Sequence, residues 1–154
     1  MTSTKHSADA LDNSISAQHK QMLVQAIHRW RYLLDGARRE LHAQDWHAAV
    51  DAYQEAHSQA ELLIHIADCK NCAIKNYVRT LLEYGYSLCQ TNQSDALLRL
   101  LDIARQTLDC YATATLSQQL LKPLFSLLDA NNQQRDLWIN QLFVEDALQQ
   151  RAVH

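Results

Sequence analysis

The sequence contains few of the residues that interrupt helices, with only two glycines and one proline among 154 residues. Sheets need turn residues between short strands, and glycine and proline are the main ones, so their scarcity disfavours a β or mixed fold. Alanine, leucine, glutamine and charged residues, which favour helices, are abundant instead. We therefore predict an all-α protein, long enough for one domain with a hydrophobic core.

Long apolar runs and targeting segments are also lacking. The chain has no run of about 18 apolar residues, so we expect no membrane span. The N-terminus lacks the apolar core of a secretory signal, and the four cysteines lie within helical patterns. Together these features predict a protein of the reducing cytoplasm. A formal net charge of −3 argues against a nucleic-acid partner that is held by a global positive field.

The local motifs of common enzymes are missing as well. The eight histidines form no HExxH motif, and the chain has neither a glycine-rich phosphate loop nor a nucleophile elbow. Carboxylate pairs such as Glu40 with Asp45 lie at predicted corners or on solvated faces, where they more often confer solubility than catalysis. We expect a protein without catalytic activity and without a cofactor.

Apolar periodicity divides the chain into a tail and one helical domain. Residues 1–14 are polar and aperiodic, and we expect a flexible tail without a fold of its own. Residues 15–151 carry apolar residues at steps of three and four, as amphipathic helices do. Polar or small-residue corners separate the helical segments near residues 44–45, 68–71, 91–94, 112–117 and 129–133. Pro123 is expected to kink a helix that begins near Leu116.

The most regular stretch, residues 37–60, predicts two helices joined by a tight corner. Bulky and small residues alternate on one face of the second helix, at Trp46, Ala49, Tyr53 and Ala56. Two helices approach closely where an alanine makes room for a neighbouring ring. The pattern therefore predicts an antiparallel helix pair that is packed along its length.

This stretch resembles a tetratricopeptide repeat (TPR). Leu33 and Ala37 fall in the first helix of such a repeat, and the four residues just named fall at the signature spacings of the second. A second, weaker copy has its corresponding residues at Leu81, Gly85, Leu88, Leu101 and Ala104. The corner near residues 129–133 suggests a third, degenerate copy by helix lengths alone. The resemblance implies antiparallel helix pairs that form a short TPR-like superhelix of about six to seven helices.

The chain departs from the family pattern at several places. Glu40 occupies an aromatic or large apolar position in the first copy, and Leu97 replaces a small residue in the second. No proline closes either copy, and the two copies lie farther apart than the family period of roughly 34 residues. The alternative is an unrelated helical bundle in which the same residues merely pack, and both alternatives are all-helical.

The resemblance implies a groove that binds a protein or peptide, because the first helices of TPR arrays line a concave surface. The outward faces of those helices carry eight candidate partner-binding residues, Arg31, Leu34, Arg38, His42, Arg79, Leu82, Tyr86 and Gln90. Arginine binds carboxylates bidentately and tyrosine adds flat apolar contact, so we expect an acidic or C-terminal peptide as partner. The carboxylate-clamp pattern of the family is not reproduced, because Glu83 stands where a neutral amide is expected.

These observations favour a non-catalytic adaptor or chaperone. A short solenoid has weakly protected ends, so we also expect a homodimer that covers an end or the groove. The alternative for the candidate residues is a solvated charged face without a partner. A further hypothesis uses Arg29, Arg31, Arg38 and Arg39 as a basic helix that binds nucleic acid, with steeply salt-dependent affinity.

A hypothesis from another class is a metal- or redox-responsive helical regulator that uses His65, Cys69 and Cys72. Their spacing places them on one face of a single helix. Zinc accepts imidazole and thiolate, and a fourth ligand would come from His57, from Cys89 or from another subunit. Three ligands on one straight helix seldom converge on a tetrahedral ion, so structural cysteines without metal are the simpler interpretation. The CxxC spacing also suggests thiol exchange, although no βαβ pattern precedes it.

Overall fold

The structure, a computed structural model, describes the backbone of residues 3–153 and the side chains of residues 7–148. Within this part of the chain all regular structure is α-helical, which confirms the all-α prediction. Six helices are present there, in chain order α1 (Ser3–His42), α2 (Trp46–Ile66), α3 (Lys70–Gln90), α4 (Ser94–Asp109), α5 (Ala114–Asp129) and α6 (Asn132–Val153).

Helix α1 begins at Ser3, well before the position expected from periodicity. Residues 3–14 contain neither glycine nor proline, so the helix continues outward from its packed part without a break. The side chains of residues 7–18 are exposed, and the first buried side chain of the helix is Ala26. The expected tail is therefore helical from Ser3 onward, Met1 and Thr2 lie outside the described residues, and its flexibility stays a prediction.

The predicted corners are short and have identifiable caps. Asp45 caps α2, because its carboxylate accepts a hydrogen bond from the backbone N–H of Ala48 at 3.3 Å. Gln44 and Asn92 adopt left-handed backbone conformations, with φ of 60° and 57°, just after α1 and α3 end. Thr113 caps α5 in the same way as Asp45 caps α2.

Helix α5 continues across its proline, while the predicted kink at Pro123 stays a prediction. It starts at Ala114, so the connection after α4 is shorter than the expected residues 112–117, and Pro123 lies inside the helix. The break near residues 68–71 is also confirmed, because α2 ends at Ile66 and Cys69 caps α3.

The packing of α1, α2 and α3 follows the alternation of rings and alanines. Helix α2 lies between α1 and α3, while α4 and α5 pair with each other and both contact α3. Ala49, Tyr53 and Ala56 are fully buried on α2. Trp30 of α1 donates its indole N–H to the hydroxyl of buried Thr80 on α3, at 3.0 Å. These contacts confirm the predicted helix pair, while the superhelical arrangement stays a prediction.

Helix α6 departs from the pairing order. Within the described part of the chain it packs on α3 rather than along α5. Close to the turn, Arg135 still donates to the carbonyl of Leu127 at 3.1 Å. Farther on, a gap separates the two helices, with Pro123 on the α5 side and Trp138 on the α6 side. The third helix pair therefore lacks the side-by-side packing of a repeat, and α6 instead covers a face of α1 and α3.

Gly85 provides a test of the packing between α3 and the second half of the chain. A Cβ atom at this position would lie 2.5 Å from Cδ1 of Leu124 and 3.3 Å from Cδ1 of Leu97. We expect Gly85→Ala to lower the free energy of unfolding by about 1 kcal/mol, because overpacking outweighs the gain in helix propensity. Urea denaturation followed by circular dichroism measures this change.

Gly36 is the matched control, since a Cβ atom there meets only the end of Arg39, at 3.6 Å. Gly36→Ala should raise the free energy of unfolding by about 0.5–1 kcal/mol through helix propensity alone. A Gly85→Ala protein that is as stable as Gly36→Ala would show that the α3 interface tolerates the extra methyl group.

Candidate functional site

A fully buried carboxylate lies where three helices meet. Glu83 of α3 has an exposed fraction of 0%. Arg38 of α1 donates two hydrogen bonds to its two oxygens, each at 2.8 Å. Arg79, one turn earlier on α3, donates from Nε at 2.8 Å, and the hydroxyl of Tyr53 on α2 donates at 2.9 Å. The carboxylate therefore receives hydrogen bonds from α1, α2 and α3 at once.

The charges of this cluster explain why it tolerates burial. A buried carboxylate is costly unless it is paired and hydrogen-bonded, and here it has two guanidinium partners. Burial acts to lower the pKa of Arg38, but the hydrogen bond and charge of Glu83 outweigh it, so the pKa is raised. Burial, with the nearby charge of Glu83, also raises the pKa of Tyr53. Both side chains are thus held as donors to Glu83.

Helix α6 supplies a second carboxylate and an aromatic ring. Asp146 accepts a hydrogen bond from Nη1 of Arg79 at 3.0 Å and forms an ion pair with the same guanidinium. The ring of Phe143 has its centroid 5.7 Å from Cζ of Arg38 and 5.4 Å from Cζ of Arg79. Both arginines therefore make cation–π contacts with one ring. His42 of α1 also packs against Phe143, with ring centroids 4.9 Å apart.

The other end of the α6 contact is polar. Asp136 accepts hydrogen bonds from the hydroxyl of Tyr86 at 2.7 Å and from the side-chain amide of Gln90 at 3.2 Å. Because Asp136 lies near the end of α3 and Asp146 near its middle, α6 runs antiparallel to α3. Ile139 lies between the two acidic residues and is buried.

A cavity of about 430 Å³ remains beside the α6 contact. Trp46 and Gln44 of the first corner line one wall, and Asp136 and Asn140 of α6 line the opposite one. Candidate residues His42, Tyr86 and Gln90 also line it. The cavity therefore lies beside α6, next to three of the candidate residues.

The structure brings five of the eight candidate partner-binding residues together beneath α6. These five are Arg38, His42, Arg79, Tyr86 and Gln90. Arg31 lies on α1 about two turns before Arg38 and is exposed. The expected outward placement is wrong for Leu34 and Leu82, which are buried in the core, and Tyr86 is buried as well. That these residues bind a partner stays a prediction.

Sequence reasoning missed the α6 side of the site. Nothing local in the sequence connects Asp136, Phe143 or Asp146 to the arginines, because their partners are distant along the chain. The spacing of Arg79 and Glu83, at i and i+4 on one helix, was a usable signal for a salt bridge. Glu83 stood out only as a departure from the carboxylate-clamp pattern, whereas the structure makes it the centre of the site.

The metal hypothesis rested on a geometry that the structure does not contain. His65 belongs to α2, Cys69 caps α3 and Cys72 lies in the first turn of α3, so the three residues do not share one straight helix. The Nδ1 atom of His65 forms a short hydrogen bond with the hydroxyl of Tyr111. Among the side chains that the structure describes, no group of three or more His, Cys, Asp or Glu is arranged to hold a metal ion.

Comparison with protein-family models, with curated proteins and with solved structures finds no match to this chain. The TPR-like identity stays a prediction carried by the residues named above. In the described part of the chain, no helix combines the length and the apolar character that crossing a bilayer requires.

The buried cluster predicts a large stability loss when its carboxylate is removed. Glu83→Ala leaves Arg38 and Arg79 without their shared partner, and we expect a loss of about 3 kcal/mol in the free energy of unfolding. Glu83→Gln preserves the shape and should cost less. Urea denaturation of both variants measures these losses. Glu55→Ala, which removes an exposed glutamate from α2, is the control and should stay within about 0.5 kcal/mol of wild type.

The result that would contradict this assignment is a Glu83→Ala protein as stable as the Glu55→Ala control. It would mean that the two guanidinium groups find other partners or reach water once the carboxylate is gone.

Buried His57 predicts a pH dependence of stability. Its Nε2 lies 3.3 Å from the hydroxyl of Tyr77, and burial lowers its pKa below the usual 6.5 although Glu61 opposes the shift. The unfolded chain therefore binds more protons than the folded one once the pH falls below about 6.5. The resulting stability is intact above that pH and is lost as the pH falls toward the lowered pKa of the folded state.

We expect wild type to lose stability relative to His57→Gln between about pH 7.5 and about pH 5. Denaturant unfolding at both pH values measures the difference. His47→Gln is the control, because His47 is exposed on the same helix and its variant should follow wild type. Parallel changes in wild type and His57→Gln would remove His57 as the source of the pH dependence.

Proposed function

We propose that this protein is a non-catalytic interaction module, an adaptor or chaperone of TPR-like architecture, that binds an acidic helical segment of a partner protein. The observation that carries the proposal is the docking of α6 across α1 and α3. This helix presents two acidic residues, with an aromatic residue between them in sequence, to the predicted partner-binding residues. A partner segment with the same chemistry would meet the same donors and rings.

The register of the α6 contact defines the segment that the groove would accept. Asp136, Phe143 and Asp146 are spaced so that they share one face of a helix, two turns and then one turn apart. A partner helix therefore needs a carboxylate opposite Tyr86, an aromatic ring between the two arginines and a second carboxylate at Arg79. This matches the acidic peptide expected from the arginines and the tyrosine of the groove.

The electrostatics of the groove support an acidic rather than a basic partner. Glu83 is enclosed and already engaged by Arg38, Arg79 and Tyr53, so it offers no acceptor to an incoming cation. The guanidinium of Arg79 donates from Nε to Glu83 and from Nη1 to Asp146, with which it also forms an ion pair. A partner carboxylate would take the position of Asp146 and leave the buried pair intact.

In this proposal α6 fills the groove when no partner is bound, and it competes with a partner segment for the same contacts. The opposite side of α6 exposes Leu137, Val144 and Leu148, so the helix is covered by protein on one side only. Its hold on the groove combines the buried side chain of Ile139 with a small set of polar and aromatic contacts, which a partner segment of the same pattern can replace. The affinity for a partner is reduced by the fraction of molecules in which α6 is docked.

The test uses the full chain and a labelled peptide that copies residues 132–148. Fluorescence anisotropy measures peptide binding to wild type and to Phe143→Ala. Loss of the ring weakens α6 docking, and we expect Phe143→Ala to bind the peptide roughly tenfold more tightly, since two cation–π contacts are worth about 1–2 kcal/mol. Val144→Ala, which shortens a neighbouring exposed side chain, is the control and should behave as wild type.

A second peptide tests the charge requirement. It carries lysine at the positions of Asp136 and Asp146 and should lose binding to Phe143→Ala. Equal binding of the two peptides, or no binding of the first peptide by Phe143→Ala, would refute the groove as a site for acidic helices. Sedimentation of the same samples reports whether α6 docks between copies, which is the route to a homodimer that this geometry suggests.

A further inference from the structure

A pair of exposed cysteines lies at the start of α3, away from the α6 contact. Cys69 is the N-cap residue, and its sulfur accepts a hydrogen bond from the backbone N–H of Cys72 at 3.4 Å. That contact joins the sulfur of Cys69 to the backbone of the other cysteine. Both residues are exposed, whereas Cys89 is buried and Cys110 is exposed but distant in sequence. The pair is therefore accessible to solvent, and the sulfur of Cys69 already lies against the backbone of Cys72.

The positions of the two residues suit a disulfide. Residues three apart at a helix start lie about 5–6 Å from each other, which is within the range that a disulfide spans without moving the backbone. Cys69 lies just outside the helix, and its side chain turns back onto the first turn, which contains Cys72. The 3.4 Å contact between the sulfur of Cys69 and the backbone N–H of Cys72 is consistent with such a short separation.

The two thiols have different roles because their surroundings differ. The hydrogen bond from the thiol of Cys72, followed by that from its backbone N–H, lowers the pKa of Cys69, and Lys75 adds a smaller favourable charge. The same hydrogen bond and the charge of Cys69 raise the pKa of Cys72. Cys69 is thus the better nucleophile at neutral pH, and Cys72 stays protonated until it is needed.

We propose that Cys69 and Cys72 are a reversible redox pair, in which Cys69 attacks a low-molecular-weight disulfide and Cys72 then closes an intramolecular disulfide. The geometric basis is the exposure of both cysteines and the 3.4 Å contact between the sulfur of Cys69 and the backbone N–H of Cys72 at the N-terminus of a long helix. This proposal goes beyond the interaction function and does not depend on it, since the pair lies outside the groove.

The chemistry balances in two exchange steps. The Cys69 thiolate attacks one sulfur of the small disulfide, the bond between its two sulfurs breaks, and the first thiolate leaves and takes up a proton. A mixed disulfide remains on Cys69. Cys72 then gives its proton to water and attacks the sulfur of Cys69, which releases the second small thiolate. Two protein thiols are oxidised to one disulfide, and one small disulfide is reduced to two thiols.

The junction around the pair is held together independently of the cysteines. Lys70 donates to the carbonyl of Ile64 at 2.6 Å and to that of His65 at 3.1 Å, and its Nζ lies 5.0 Å from the ring centroid of Tyr111. These contacts connect the end of α2 with the start of α3. Oxidation therefore changes the covalent state of the pair while the surrounding helices stay in place.

The experiment treats the reduced full-length protein with oxidised glutathione in the presence of a chelator, and mass spectrometry follows the products. We expect wild type to pass through a transient glutathione adduct to an internal disulfide between Cys69 and Cys72, which dithiothreitol reverses. Cys72→Ser should stop at a stable adduct on Cys69. Cys110→Ser, which removes an exposed cysteine outside the pair, should react as wild type does.

A second measurement separates the pair from ordinary surface thiols. Iodoacetamide alkylation at neutral pH should modify Cys69 at least about threefold faster than Cys110 in wild type. In Cys72→Ala the rate at Cys69 should fall, because alanine cannot replace the side-chain donor of Cys72. Stable adducts on wild-type Cys69, or equal alkylation rates at Cys69 and Cys110, would overturn the proposal.

Discussion

The position of α3 relative to α1 and α2 depends on one buried carboxylate. Glu83 is enclosed, and its oxygens are satisfied only when Arg38 of α1, Tyr53 of α2 and Arg79 of its own helix are all in place. A buried ion pair adds little net stability compared with apolar packing, but the loss of one partner is costly. Any shift in helix register would separate the partners. The cluster therefore selects one arrangement of three helices more than it strengthens that arrangement.

The same cluster determines where α6 lies. Both guanidinium groups keep one side toward Glu83 and present the other to Phe143, so the buried pair builds the surface on which the last helix docks. A helix that followed the repeat order would pack along α5 instead, and the outer side of α5 keeps Phe125 exposed. Charge and aromatic contacts with α1 and α3 therefore favour the observed position of α6 over a position along α5. It also brings the candidate partner-binding residues and the C-terminal helix into one site.

The parts of the structure that follow from local patterns could be predicted, and those that depend on distant pairs could not. The scarcity of helix breakers, the Asp45 cap and the alternation of Ala49 and Tyr53 are local features, and the helices and the first helix pair follow from them. The prediction that Leu34 faces outward is wrong. Residues on the core face and on the groove face of one helix can be neighbours in the sequence, so a shift of one position exchanges the two faces. The docking of Asp136 on Tyr86 joins residues far apart in the chain, which no periodicity encodes.

Dissolved counter-ions should weaken the exposed contacts of α6 much more than the buried contacts of Glu83. At moderate ionic strength the interactions of exposed charges decay over a screening length of about 10 Å, whereas those of a carboxylate that is shut off from water are screened much less. Glu83 is enclosed, whereas the Asp146 side chain has an exposed fraction of 35%. Rising ionic strength therefore loosens the outer attachment of α6 long before it disturbs the contacts among α1, α2 and α3. In the proposed function, the ionic composition of the surroundings would therefore set the fraction of molecules in which α6 is undocked.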